Sequence, residues 1–375
     1  MLHAETVHPN TLRQWLRLHF TPLKLKRLLR EQWAGFHTMS AQQPLASLPR
    51  FWRDKLAEEN EQSVAKDLGR IQRWLDADEQ HAVITRVCAE YPALLAEVDD
   101  APWLLFASGH VEHLSLSAIG IVGSRKATPM GVSLAGEFSQ GLGAHRLCVV
   151  SGMAMGIDAA AHQAALEHGW ATIGVLGCGI DKVYPARHRA LYGQMRESGL
   201  LLSEYLPGEA PRVERFPQRN RIISGLSHGV LVVEASVHSG SLQTAKHALE
   251  QNREVYAIPG SIRNPAAEGC NRLIQQGAKL VTCTDDVLVD FPAQEALWPV
   301  DNPFRENFSE KLPNFLETGL ANPHLLANVD FETTSLDVLI TRTGLGVSDV
   351  VNQLISLELA GWIKQVPGGY VRMRR

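Results

Sequence analysis

Residues 117–152 read SAIGIVGSRKATPMGVSLAGEFSQGLGAHRLCVVSG, and the order of their parts decides the fold. SAIGIVGS is an apolar, β-type run that ends in a glycine turn. GVSLAGEFSQGLGAH has helical spacing, and RLCVVSG is a second apolar run ending in glycine. The alternation continues outward. IDAAAHQAALEHG precedes WATIGVLGCG, and HRALYGQMRESG precedes LLLSEY. After an arginine-rich segment come GVLVVEA, SLQTAKHALEQNR, EVYAIPG, NRLIQQG and AKLVTC. Repeated strand–helix units with near-continuous Val, Ile and Leu strands predict an α/β fold, a parallel sheet covered on both faces.

The flanks differ in texture. TLRQWLRLHF, LKLKRLLREQW, VAKDLGRIQRWLDAD and AVITRVCAEYPALL place apolar residues at helical spacing, without strand signals. Residues 1–100 are therefore expected to form a small helical domain, and 101–291 the α/β domain. Residues 292–329, rich in Pro and Asn with weak periodicity, read as a linker. From 330 to 375 the pattern is helix (SLDVLITRTG), turn (LGVS), helix (DVVNQLISLELAG) and hairpin (WIKQV, PGG, YVRM), which predicts a winged helix.

Bulk properties bound the function. The chain has 375 residues, 45% hydrophobic and 20% charged, with formal net charge −4. A pI near 6.4 carries no global polyanion signature, so any nucleic-acid site must be local. The five cysteines form no C-x-x-C pair, which fits buried thiols in a reducing compartment. The N-terminus has no apolar signal-peptide core, and no window approaches the length of a membrane span. The expected location is cytoplasmic.

In open α/β sheets ligands collect at the carboxyl ends of the strands. The first such loop, GIVGSRKATPMG, lacks the G-x-G-x-x-G dinucleotide fingerprint. Gly123 allows close backbone approach, Ser124 and free N–H groups suit an anion, and Arg125 adds a fork of donors. The second, SGMAMGIDAAAH, carries Asp158 and His162 on one helix face, either metal ligands or a capping carboxylate with a core histidine. The third, GCGIDKVYPARHR, is basic through Lys182, Arg187 and Arg189. Cys178 there has no identifiable base and reads as a packed thiol.

The fourth, RFPQRNRIISG (215–225), crowds Arg215, Arg219 and Arg221 around Phe216 and Asn220 at a helix start, which already carries partial positive charge. The counter-charge is either internal, from Glu204 and Glu234, or a phosphate from outside. The fifth, EASVHSGSLQTAKHAL, sets Ser239, Ser241 and Thr244 at a helix start, an anion cradle without a Walker lysine or else simple capping. Several basic loops at one rim, with an aromatic ring among them, suit an extended polyanion. No paired carboxylates and no nucleophile with its base stand out.

GIVGSRKAT, SGMAMGIDAAAH, GCGIDKVYP, SEY, FPQRNRIISGLS, VVEASVHSGSLQTA, AIPG and GCNRLIQQGA occur in this order, and together they resemble the DprA/Smf family of bacterial DNA-processing proteins over roughly residues 102–290. The resemblance implies an extended Rossmann-like domain that binds single-stranded DNA, an N-terminal SAM-like helical domain and a C-terminal winged helix. It implies protection of incoming strands and loading of the RecA recombinase in natural transformation or homologous recombination. It also implies a homodimer, with no catalytic residues, metal or cofactor. By motif, Arg125, Arg219 and Arg221 hold phosphates, with Lys182 a further candidate. Phe216 contacts a base or lines the pocket, Gly123 and Ser124 give backbone approach, and Asn220, Ser239 and Ser241 complete the DNA-binding set. TPLKLKRLL lacks the glycine turn of a helix-hairpin-helix, and DVVNQLISLELAG is poor in Arg and Lys. Two other readings stand beside this one. A nucleotide hydrolase resembling the lysine-decarboxylase-like phosphoribohydrolases would need P-G-G-x-G-T where this chain has SGSLQTA. A winged-helix regulator would prefer duplex DNA.

Overall fold

A computed structural model describes residues 9–21, 28–29, 39–57, 61–291, 323–331 and 333–373. The chain divides into two compact units, 1–292 and 293–375.

In the first unit, helix α1 (Pro9–Phe20) buries Leu12, Trp15 and Leu16, the i, i+3, i+4 stripe of an amphipathic helix. Helices α2 (Arg50–Ala57) and α3 (Glu61–Leu75) follow. The expected helix LKLKRLLREQW lies almost wholly outside the described residues. Strand β1 (His81–Thr85) then pairs antiparallel with β2 (Leu104–Gly109). Next come β3 (Ala118–Val122), α4 (Pro129–Ala144), β4 (Cys148–Ser151), α5 (Ile157–Glu167), β5 (Thr172–Leu176), α6 (Arg189–Ser198) and β6 (Leu200–Ser203). Helix α7 (Arg215–Leu226), β7 (Gly229–Val232), α8 (Ser241–Glu250), β8 (Glu254–Ala257), α9 (Glu268–Gln275) and β9 (Lys279–Leu280) complete it.

The sheet order is β1-β2-β6-β5-β4-β3-β7-β8-β9. Neighbours from β6 through β9 are parallel, while β1–β2 and β2–β6 are antiparallel. The expected parallel sheet is present with an antiparallel edge added, because β1 falls inside the stretch read as helical. AVIT is a short run of buried residues, covered on both faces, and such a run shows neither period clearly.

The boundary expected at residue 100 also changes. Leu12, Trp15 and Leu16 share one core with Val83, Trp103, Phe106, Leu176 and Leu201 of the sheet, and the Trp15 and Trp103 rings lie 6.4 Å apart. The N-terminal helices are thus packed on the sheet within one unit. On one face α4 and α5 cover the middle strands through Ala135, Phe138, Ile157 and Ala161. On the other, α7 and α8 supply Ile222, Ile223, Ala245 and Ala248.

The topology matters most at β3. From β3 the chain moves one way through β4, β5 and β6, then returns through α7 to β7 on the other side of β3. The loops after β3 and β7 therefore diverge and leave a crevice at the strand carboxyl ends.

The second unit holds α10 (Pro323–Asn328), α11 (Leu336–Thr343), α12 (Val347–Leu359) and the hairpin of β10 (Ile363–Val366) and β11 (Gly369–Arg372). Ser335 caps α11 by accepting from the Val338 N–H, and Gly344, at φ +69°, ends it. Leu325, Leu326 and Val329 join Leu339, Val350, Leu354 and Ile363 in the core, so α10 belongs to this unit and not to the expected linker of 292–329. Residues 292–322 of that linker lie outside the described residues.

Truncating Trp103 tests the shared core. Trp103→Ala is expected to cost about 3–5 kcal/mol in urea unfolding, with the N-terminal helices and the sheet lost in one transition. Loss of the helices alone at lower denaturant would mark them as a separate domain.

Candidate functional site

A cleft of about 630 Å³ opens at the β3/β7 crevice. Its lining draws on four loops. Gly123–Lys126 follow β3, Ala154 and Asp158 follow β4, Ser236, Ser239, Gly240 and Ser241 follow β7, and Pro265 and Ala266 follow β8; α7 contributes Phe216, Arg219 and Asn220. Eight of the ten residues expected from sequence are brought together: Gly123, Ser124, Arg125, Phe216, Arg219, Asn220, Ser239 and Ser241.

Gly123 is required by close packing. A Cβ there would lie 2.5 Å from Ile157 Cγ1 and 2.9 Å from the Glu234 carbonyl oxygen. The Ser124 N–H donates to that carbonyl at 2.7 Å, and the Ser124 carbonyl accepts from Ile157. Arg125 and Lys126 stand beyond this anchor, exposed, and among the described residues neither is in an ion pair. The Arg125 guanidinium lies 5.6 Å from the centroid of the Phe216 ring, whose other neighbour is the Tyr184 ring at 5.2 Å. Phe216 in turn needs Gly177, where a Cβ would lie 2.7 Å from the ring.

Arg219 is buried at the base of the cleft, 4% exposed. Its Nη1 donates to the carbonyls of Gly152, at 2.6 Å, and Val175. Its Nε donates to Asn220 Oδ1 at 3.2 Å. Nη2 makes no hydrogen bond among the described residues. Burial pulls the guanidinium below its ordinary pKa range, and Asp158 works against that shift. Asp158 Oδ2 accepts from the N–H groups of Gly152 and Ala154; burial pushes its carboxyl up, opposed first by Arg219. At the opposite wall, Ser239 and Ser241 hydroxyls lie 2.7 Å apart at the start of α8, with buried Thr244 one turn on. Here the N–H groups and hydroxyls form a positive end.

Two expected residues lie elsewhere. Arg221 was expected to hold phosphate, but its guanidinium is already occupied. Nε meets Asp100 at 2.9 Å, and Nη2 meets both Glu204 oxygens at 2.8 and 2.9 Å. Burial alone would lower its pKa, and Glu204 and Asp100 outweigh that and raise it. Lys182 is outside the cleft lining and pairs with Asp181 at 3.2 Å. Arg215 is also committed, to Glu209 at 2.7 Å and over the Tyr205 ring. The internal counter-charge reading thus holds for Arg221 through Glu204. Glu234 pairs with no arginine among the described residues; its carboxylate accepts from Thr128.

His162 Nδ1 lies 2.7 Å from Thr172 Oγ1, which itself donates to the Val149 carbonyl, so Nδ1 carries the proton. Burial, then Arg219, lowers the His162 pKa to about 3, and it is a neutral core histidine. Asp158 and His162 therefore serve different partners. The Cys178 thiol, raised to about 11 chiefly by burial, is no thiolate. Sequence reasoning missed Gln243, Pro265 and Ala266 in the lining. The available signal was position: NPAA follows a strand whose carboxyl end reaches the same rim.

Arg221→Ala strands two partly buried carboxylates, and a loss of about 3 kcal/mol, the lower end for a broken buried pair, is expected in chemical denaturation. A change under 1 kcal/mol would mean that the triad contributes nothing net.

Comparisons with known proteins bear on the family and the fold. A family model described as DNA recombination-mediator protein A matches residues 82–292. A second, the DprA winged helix domain, matches 317–369. Protein Smf of Escherichia coli K12 is 44% identical over 304 residues, 80% of each chain. DNA processing protein DprA of Streptococcus pneumoniae R6 is 48% identical over 201 residues, 54% of this chain and 71% of that one. The X-ray structure of DprA from Streptococcus pneumoniae superposes with TM-score 0.62 at 37% identity, covering 76% of this chain and 99% of that one. DNA processing protein A from Helicobacter pylori, described for its single-stranded DNA binding mode, gives 0.51 at 26% identity, over 56% and 94% of the two chains. With its α/β core matched along 82–292 and its winged helix along 317–369, the chain belongs to the DprA/Smf family.

Proposed function

We propose that the cleft binds single-stranded DNA, protects it and presents it for loading of RecA, in natural transformation or homologous recombination. The observation that carries this reading is the Arg125–Lys126 pair. Two exposed cations without a carboxylate partner among the described residues stand at the mouth of a crevice lined by a buried guanidinium and a hydroxyl-rich helix start. Phosphate supplies the charge that these groups lack. Family membership and the single-strand mode described for the Helicobacter pylori relative support the choice of ligand. The family also supports RecA as partner, a homodimer as the working form and a cytoplasmic location. No helix among the described residues is long and apolar enough to cross a membrane.

The site is proposed to bind and not to turn over. Asp158 is the carboxylate of the cleft lining, and it is spent on the N–H groups of Gly152 and Ala154. Glu234, which a hydrolase reading would require as catalyst, is outside the lining and held by Thr128. Nucleotide turnover by the pure protein, abolished by Glu234→Gln, would reverse this.

Fluorescence anisotropy of labelled single strands across a salt series, without metal or nucleotide, tests the proposal. Arg125→Glu is expected to weaken binding strongly, to lower the salt slope by about one phosphate contact, and to leave the melting temperature unchanged. Arg219→Glu, which sequence alone suggests would leave the fold intact, is now expected to lose stability as well. It would place a carboxylate against the carbonyls of Gly152 and Val175. Unaltered affinity in Arg125→Glu would refute the assignment. Phe216→Ala is expected to cost about 1–3 kcal/mol of binding if a base stacks there. A loss below that range makes Phe216 a support for Arg125 alone.

A further inference from the structure

We infer that Glu234 is a positioning residue for strand binding, acting through Arg125. The inference rests on the reading of the cleft as a single-strand site. Glu234 is 5% exposed and lies just past β7, the strand paired with β3. It holds the loop after β3 at both ends. Its backbone carbonyl accepts the Ser124 N–H at 2.7 Å. Its carboxylate accepts the Thr128 N–H at 3.1 and 3.2 Å and the Thr128 hydroxyl at 2.6 Å. Arg125, Lys126 and Ala127 form the short arch between these two anchors.

The arch is also held by the Ser124 carbonyl, which accepts from the Ile157 N–H at 3.2 Å, and by Ala127, which packs on the core beneath α4. Within it, the Ser124 hydroxyl accepts from the Lys126 N–H at 3.1 Å, a bond that moves with the loop. Outside it, the Thr128 hydroxyl accepts the Gly131 N–H at 3.0 Å and caps α4. One carboxylate therefore links the edge of β7, the arch and the start of α4. No cation is paired with Glu234 among the described residues, and the hydrogen bonds of its carboxylate there are all to Thr128. A carboxylate kept 5% exposed for an amide and a hydroxyl is costly to bury, and a neutral side chain of the same length would satisfy both donors. What the link does provide is a fixed departure point for Arg125, whose guanidinium then rests against Phe216. Loop side chains bind well only when their backbone is held. Glu234 lies outside the cleft lining, and its link to the lining residue Arg125 is the arch.

A double-mutant cycle on the full chain reads this directly. Anisotropy with a labelled oligothymidylate is measured for Arg125→Ala, Glu234→Ala and the double variant, with thermal melting alongside. Arg125→Ala is expected to weaken binding. Glu234→Ala is expected to weaken it about three- to thirty-fold, inside the range of couplings between linked groups, and to add no further loss once Arg125 is gone. Losses that multiply, or a Glu234→Ala protein that melts earlier yet binds normally, overturn the inference and leave the cleft reading standing. An Arg125→Ala protein with full affinity overturns both.

Glu234→Gln separates position from charge. Its amide oxygen can accept both Thr128 donors, and affinity within about two-fold of the wild type is expected on that geometry. Tighter binding would mean that the carboxylate acts by repelling phosphate, which contradicts a positioning role. If Glu234→Ala does not fold, Thr128→Ala takes its place in the cycle with the same expected non-additivity.

Discussion

The Arg219 guanidinium is the joint on which the site depends. Nη1 bonds the carbonyls past the end of β4 and on β5, at Gly152 and Val175, so one side chain of α7 clips that helix across two strand ends. Helix α7 is also the segment that carries the chain from β6 back across the sheet to β7. Fixing it fixes the crevice between β3 and β7. The close approach has a sequence cost: a Cβ on Gly152 would lie within 2.5 Å of the guanidinium carbon, so a side chain there would displace Arg219 from its carbonyls. Gly123 and Gly177 meet the same demand for Ile157 and Phe216. Glycines at the strand ends therefore serve packing around the cleft.

The electrostatics follow from that joint. A buried guanidinium satisfied mainly by carbonyl oxygens has its hydrogen bonds but not its charge matched, and burial lowers its pKa even with Asp158 near. Arg221, two residues on, shows the contrast. It meets two carboxylates directly, and they raise its pKa over the opposing effect of burial. Arg221 has its charge met by two carboxylates, although its buried Nη1 has no hydrogen bond, whereas Arg219 is in no direct ion pair among the described residues. An anion in the cleft relieves the second case and does nothing for the first. Ligand binding to such a site also stabilises the fold, because the unfolded chain offers no comparable cluster.

Much of this was legible in sequence, for specific reasons. The parallel strands read clearly because each is buried on both faces and so becomes a continuous Val, Ile and Leu run between glycine turns. Strands β1 and β2 did not, because AVIT and LLFASG sit at the junction of helical and α/β textures, and short apolar runs fit either period. The loops at the rim were legible because strand carboxyl ends define where ligands gather. The fate of the arginines was only partly legible. Successive helix residues turn by about 100°, so Arg219 and Arg221 are about 200° apart on α7 and cannot face one ligand. That argument needed only the helix. The partners Asp100 and Glu204, far apart in sequence, needed the fold.

The winged helix obeys a different constraint. Affinity for DNA rests largely on cations that displace counterions from phosphates, and α12, the second helix of its helix-turn-helix, contains Asp349 and Glu358 but neither Lys nor Arg. Its exposed residues include Val347, Ile355 and Leu359. A helix of this composition lacks the electrostatic term on which major-groove readers depend. Hence, within the proposed reading of a DNA-binding protein, α12 does not supply that term, and the cleft holds Arg125 and Lys126, neither in an ion pair among the described residues. The acidic net charge of the chain is compatible with strand binding on these terms, because a polyanion responds to the local field of a crevice and not to the sum over the surface.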